Sequence, residues 1–257
     1  MTCHSGGMSY FCPKIIANKQ TTVFTFKQFI INDSHCAMKV GTDGVLLGAW
    51  ADLTDCQRIL DLGCGSGLIA LMAAQRNPQA LITGVEIDEA AASDALLNVQ
   101  NSPFASRIAI RCQDATQLAA TEGRYDCILS NPPYHQEELL PPSAARAAAR
   151  HTAGGGLTFS ALLRTVCNLL DDSNQNARFS LILPAPALNK FKTLATIHGL
   201  HLTRCTQVVT RPGKPCKRVL LEFCLHKSTP ANDELILTAP DGGRSAAYSL
   251  LCNDFYL

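Results

Sequence analysis

Asn131, Pro132, Pro133 and Tyr134 close an apolar run in the stretch YDCILSNPPYHQ, residues 125–136. Two adjacent prolines remove two backbone donors and hold the chain extended, so no strand ladder continues through them. What is left at the end of the run is a free side-chain amide on Asn131, a free carbonyl on Pro132 and the ring of Tyr134. Two oxygens of this kind accept hydrogen bonds, and a ring stacks on a flat partner.

A second constellation lies upstream. ILDLGCGSGLIAL (59–71) places Asp61, Gly63, Gly65 and Gly67 between an apolar run and a helical pattern. Glycines there permit positive φ and close approach of a ligand to the backbone. The dinucleotide fingerprint requires G-x-G-x-x-G, but Leu68 stands where its third glycine belongs. The Lys-Ser/Thr ending of a P-loop is absent as well. A short loop preceded by an acid suits a ligand with a cationic amino group, such as S-adenosyl-L-methionine, which Asp61 would meet directly or through water. Glu86 ends the next apolar run, where a carboxylate accepts from ribose hydroxyls, and Asp114 in RCQDA is placed to accept from an adenine amine.

A methyl donor beside Asn131 gives the tetrapeptide a task. An exocyclic adenine amine becomes nucleophilic only as its nitrogen pyramidalises and gains positive charge. The Asn131 side-chain oxygen and the Pro132 carbonyl can accept its two N–H bonds, an oxyanion hole with the signs reversed. Tyr134 would stack on the base, which must be extruded or unpaired to reach these groups. The expected catalytic residues are therefore Asn131, Pro132 and Tyr134.

Such groups have to be held by regular elements. Short apolar runs at 58–62, 80–87, 107–112, 125–130 and 178–184 read as strands. Helical patterns at 68–76, 89–101, 159–170 and 187–199 alternate with them. Such alternation predicts an α/β fold, a Rossmann-like doubly wound and mostly parallel sheet, with residues 201–210 and 217–226 pairing as a closing antiparallel hairpin. Ligands of such sheets bind beyond the carboxyl ends of the strands, so the glycine loop and the NPPY stretch should share one crevice.

Bulk properties limit the class. The chain of 257 residues is 47% apolar and 17% charged, which suits a globular protein. Its longest uncharged run, Leu62 to Gln75, is too short to span a bilayer, and the first residues lack a secretory pattern. None of the twelve cysteines forms a C-x-x-C pair, so reduced thiols in a cytoplasmic protein, without a metal site, are expected. Net charge is only +1, yet no acid occurs from Ser173 to Leu221, where Arg178, Lys190, Lys192, Arg204, Arg211, Lys214, Lys217 and Arg218 lie. Fourteen of the 21 acids fall between Asp33 and Glu138. That asymmetry predicts a basic side facing a polyanion.

DLGCGSG, GVEID and SNPPY, in this order and spacing, resemble class I S-adenosylmethionine-dependent amino-methyltransferases. The same tetrapeptide serves methylation of a base and of a glutamine side chain, so the motifs alone leave both open. FTFKQFIINDSHCAMKVGTDGVLLGAWADL (24–53) and LILTAPDGGRSAAYSLLCNDFYL (235–257) resemble the bacterial tRNA(Val) (adenine-37-N6)-methyltransferase family. The resemblance, from Phe24 to Leu257, implies cofactor contacts at Asp61, Gly63, Gly65, Gly67, Glu86, Asp114 and Asn131, with Thr42 and Asp43 closing over the methionine end. It puts Phe26, Lys39, Tyr134 and the later basic residues, Lys214, Lys217 and Arg218 among them, on the RNA side. Arg146, Arg150 and His151, in the 135–156 loop, are further candidates for phosphate or ribose, or else part of a plain surface helix.

The expected organisation is an N-terminal extension over 1–23, a hairpin and helix over 24–53 that cap the cofactor site, and a methyltransferase domain over 54–257. One chain acting alone on tRNA is expected, with no metal and no membrane. Two other readings remain at this point: a protein glutamine N5-methyltransferase acting on a release factor, and an RNA-binding module without catalysis.

Overall fold

The computed structural model describes residues 23–36, 38–119, 123–133 and 157–257. Its centre is an eight-stranded sheet of β3 (Arg58–Leu62), β4 (Leu81–Glu86), β5 (Ile108–Cys112), β6 (Cys127–Ser130), β7 (Arg178–Pro184), β8 (His201–Val209), β9 (Arg218–Cys224) and β10 (Ala231–Ile236). The spatial order is β10-β8-β9-β7-β6-β3-β4-β5. Only β9 runs against its neighbours, β7 and β8.

Alternation along the central strands divides the apolar residues between two faces. Ile59, Cys127, Leu129 and Ile182 join one buried cluster, with α1 (Thr42–Trp50) and α2 (Leu68–Arg76). Leu60, Leu62, Ile128, Leu181 and Leu183 join the other, with α4 (Phe159–Leu169) and α5 (Leu188–Ile197). Burial on both faces is why these strands read as continuous apolar runs. On the first face α1 lies so close to α2 that a Cβ on Gly48 would come within 2.6 Å of the Met72 sulfur. Between β4 and β5, α3 (Glu89–Gln100) begins at Asp88, whose carboxylate accepts the Ala91 N–H at 2.8 Å.

A separate hairpin, β1 (Val23–Thr25) with β2 (Ile30–Asn32), precedes α1. Its turn is covered by the C-terminal segment that follows α6 (Ala246–Cys252): Lys27 N–H donates to the Phe255 carbonyl at 2.9 Å. The structure corrects two expectations here. Phe26 is only 4% exposed, its ring stacked 4.8 Å from Phe29 and 6.2 Å from Tyr256, so it is a core residue and has no face to offer RNA. Nor does the β8–β9 hairpin, which pairs antiparallel as expected, end the sheet, because β10 lies outside it, parallel to β8. With four of its six residues exposed, ANDELI carries little apolar signal; its ladder to β8 is supplemented by the buried Leu235 side chain and by a hydrogen bond from the Thr206 hydroxyl to Asp233.

Candidate active site

Because β3, β4, β5, β6 and β7 are parallel, their carboxyl ends meet at one edge. A cavity of about 790 Å³ opens there, lined by the glycine loop, Glu86, Asp114, Asn131, Pro132, Pro133 and residues 38–44. Such a volume is ordinary for a nucleoside-sized ligand.

The glycine loop is tied to the neighbouring strand. Gly63 and Cys64 N–H both donate to the Val85 carbonyl, at 2.9 and 3.0 Å. Gly63 and Gly65 have φ of 72° and 53°, with open space where a side chain would stand. A ligand can therefore lie directly against this backbone. Glu86 holds the loop in place, since one oxygen accepts Gly65 N–H at 2.9 Å and the other accepts Ile87 and Asp88 N–H at 2.9 and 3.0 Å. Three backbone donors fix the carboxylate, and the oxygen that holds Gly65 keeps accepting capacity toward the cavity. Asp114 is held in the same manner, accepting from the Thr116 N–H and hydroxyl, both at 2.8 Å. Next to Glu86, Ile87 is 64% exposed and lines the cavity, offering apolar surface to a flat ring.

Asp61 departs from its expected place. It does not line the cavity but lies beneath the loop, fully buried, with one oxygen accepting the Ala70 N–H at 3.0 Å. Ala70 is in the first turn of α2, whose N-cap, Gly67, has no side chain to cap with, so Asp61 caps the helix from the adjoining strand. Burial raises its pKa to about 7, against the pull of the Ala70 N–H and reinforced by Glu86. The other oxygen has no hydrogen-bond partner among the described residues, leaving it able to accept from an ammonium through an intervening water. Gly67 is likewise outside the cavity lining. Its φ of 80° ends the loop, and a Cβ there would sit 3.4 Å from that of Ala95.

The opposite wall is the segment leading into α1. Fully buried Asp33 accepts Val40 N–H at 2.7 Å, and Lys39 reaches back to the Asp33 and Ser34 carbonyls. His35 binds Asp94 of α3 through its N–H at 2.7 Å and through Nδ1 at 2.8 Å. Asn98, one turn on, accepts Asn32 N–H at 2.9 Å and donates to the Asn32 and Ser66 carbonyls. Sequence reading missed this brace, because its partners lie 59 and 66 residues apart and share no motif. Thr42 and Asp43 begin α1 at the cavity rim. Lys39, expected on the RNA side, lines the cavity with its ammonium turned toward the Asp33 loop.

At the end of β6, Ser130 donates to the Leu62 carbonyl at 2.9 Å, which locks the strand end to the glycine-loop strand. Asn131 follows. Its Nδ2 donates to the Met38 sulfur at 3.6 Å, and its Oδ1 has no hydrogen-bond partner among the described residues. Tyr134, Arg146, Arg150 and His151 lie outside the described residues.

The same edge carries the β8–β9 turn, where Arg211, Lys214 and Lys217 are exposed. Arg218 instead pairs with the cavity-lining Asp43, its Nε 2.7 Å from Asp43 Oδ2. Two cysteines of the cavity are inert: burial pushes the Cys64 thiol up and the Cys36 thiol up to about 12, the latter helped by Asp94 and Asp33. Neither is a nucleophile near neutral pH.

The methyltransferase small domain family matches residues 34–169. A protein of Yersinia pestis (strain Pestoides F) named tRNA1(Val) (adenine(37)-N6)-methyltransferase is 44% identical over 236 residues, covering 91% of this chain and 93% of that protein. A protein of the same name from Yersinia pseudotuberculosis serotype O:1b matches to the same extent. Among solved structures, a predicted O-methyltransferase from Agrobacterium tumefaciens superposes with a TM-score of 0.62 at 21% identity, over 83% of this chain and 96% of that one, a likeness of fold.

Proposed function

This chain belongs to the tRNA1(Val) (adenine(37)-N6)-methyltransferase family, within the methyltransferase small domain family, and we propose that it methylates the N6 amine of adenine 37 in the anticodon loop of tRNA(Val) with S-adenosyl-L-methionine. The observation that carries this reading is Asn131. An amide oxygen shielded from solvent and without a hydrogen-bond partner among the described residues is costly, by about 1–3 kcal/mol, and an N–H donor from outside relieves that cost. An exocyclic amine is such a donor.

The residues present fit the cofactor. Glu86 would accept from ribose hydroxyls, Ile87 and Asp114 would face the adenine ring and its amine, and Gly63 and Gly65 would admit its chain against the backbone. Asp43 and, through water, Asp61 would meet the ammonium end. When bound, S-adenosyl-L-methionine supplies an electrophilic methyl group. The protein's own task is then to hold the target amine in line and to stabilise charge on its nitrogen. Asn131 Oδ1 accepts one N–H and the Pro132 carbonyl the other, each contact strengthening as the nitrogen becomes cationic. Tyr134 supplies the ring on which the extruded base stacks. Phosphates would meet Arg211, Lys214 and Lys217 at the same sheet edge.

The test is label transfer from methyl-labelled cofactor into a tRNA(Val) transcript, followed by nucleoside separation. N6-Methyladenosine should form and should vanish when adenine 37 is replaced by guanosine. Label that persists with guanosine 37 moves the target elsewhere, and label in protein glutamine alone transfers the assignment to a protein methyltransferase.

A further inference from the structure

Asn131 can serve as an acceptor only if its oxygen, not its nitrogen, faces the substrate. The terminal torsion of an asparagine is broad and nearly two-fold, so the two faces of the amide are close in energy unless a neighbour distinguishes them. The following proline restricts the Asn131 backbone to extended conformations but leaves that torsion free. The Asn131 side chain makes one hydrogen bond among the described residues, from Nδ2 to the Met38 sulfur at 3.6 Å. A thioether accepts but has no proton to donate, so it can engage only the nitrogen end. A hydroxyl or amide at the same place could bond to either end.

Met38 is also ill explained as core. Its side chain is 47% exposed while lining the cavity, so burial of apolar surface does not account for its position. The chain around it is held on both sides by the buried groups already described: Asp33 to Val40, His35 to Asp94 and Asn98 to Asn32. The sulfur thus projects from a fixed segment toward a strand end 93 residues away in sequence.

We propose that Met38 is a positioning residue, whose thioether sets the Asn131 amide with its oxygen free for the target amine. This rests on the acceptor role assigned to Asn131 above. Met38→Leu keeps the volume and removes the acceptor. Single-turnover methylation should slow about three- to tenfold, the loss expected of one modest hydrogen bond, while half-saturating cofactor and tRNA concentrations stay within about twofold. In an Asn131→Ala background the same change should have no further effect, because the group it orients is gone. Met38→Gln, which can donate as well as accept, should not restore the rate, whereas uniform selenomethionine substitution should preserve it.

Native protein and Asn131→Ala run beside these variants separate the two failures. If Asn131→Ala is as active as native protein, the acceptor role fails, and the proposal with it. If Asn131→Ala is impaired but Met38→Leu has the same effect in both backgrounds, or none in either, the inference about Met38 alone is wrong. A readout without RNA is the hydrogen exchange of the Asn131 side-chain amide, assigned by its loss in Asn131→Ala. Exchange should be faster in Met38→Leu, and an unchanged rate overturns the positioning role whatever the substrate proves to be.

Discussion

Two parts of the cavity wall, the glycine loop and the end of β6, solve opposite problems. On the glycine-loop wall the cavity-lining polar groups are held by the backbone: Glu86 answers three backbone donors, Asp114 is held by Thr116, and the Gly63 and Cys64 amides are tied to Val85. At the end of β6, Asn131 donates to a weak acceptor and leaves its oxygen unmatched among the described residues. A satisfied wall is rigid and binds a ligand without rearranging. An unsatisfied one has free energy to release when a donor arrives, and releases most when that donor is becoming cationic. Cofactor binding should therefore depend on the first wall and turnover on the second.

This division can be broken by substitution. The largest effect is expected at Asn131, where alanine should lower turnover by about 3 kcal/mol, or on the order of a hundredfold, and leave cofactor affinity within severalfold. Glu86→Ala should do the reverse. It frees three loop donors and removes the ribose acceptor, so the cofactor dissociation constant, read by calorimetry, should rise about ten- to a hundredfold. If Glu86→Ala left that constant unaltered, the assignment of the binding wall would fail.

Asp61 gives a pH signature. Unfolded, it titrates near 3.8; folded, near 7, because burial disfavours its charge. Between those values the folded chain holds a proton that the unfolded chain has lost, so its contribution to stability falls as pH rises from about 4 to 7. Asp61→Asn, which can still cap Ala70, should flatten that part of the profile in denaturant titrations. A profile as steep in Asp61→Asn as in the native chain would exclude it as the source. Cofactor binding that strengthens as pH rises through 7 would sharpen the account by placing the ammonium end within reach of the ionised carboxylate.

The smallest effects belong to the rim and the basic turn. Arg218→Gln breaks a partly buried pair with Asp43 and should raise the half-saturating cofactor concentration only severalfold. Replacing Arg211, Lys214 and Lys217 together should leave cofactor affinity alone and reduce the salt dependence of tRNA binding. An unchanged salt slope would remove the turn from the interface.

The strands and helices of the central fold were legible because both faces of the sheet are buried and each strand reads as an apolar run. Arg58–Leu62, Leu68–Arg76 and Arg178–Pro184 carry the expected bounds. β10 was not, since an exposed edge strand has no pattern beyond its ladder. At the site, spacing located the glycine loop, Glu86, Asp114 and Asn131, but could not tell which acid faces the cavity. Asp61 and Gly67 carry the motif and support it from below, a distinction set by which way a side chain leaves its strand or turn. Phe26 misled because an aromatic near a proposed RNA face reads the same whether it is stacked on a base or, as here, on Phe29. Met38 and the Asp94–Asn98 brace depend on contacts distant in sequence, which no local pattern records.

The division between the walls is tested most directly by a single-turnover titration of cofactor against Asn131→Ala at saturating tRNA, in which the midpoint reports binding and the plateau reports chemistry. The account predicts a plateau lower by on the order of a hundredfold, with a midpoint within severalfold of the native protein. A native plateau, or a loss explained by a shifted midpoint, would contradict it.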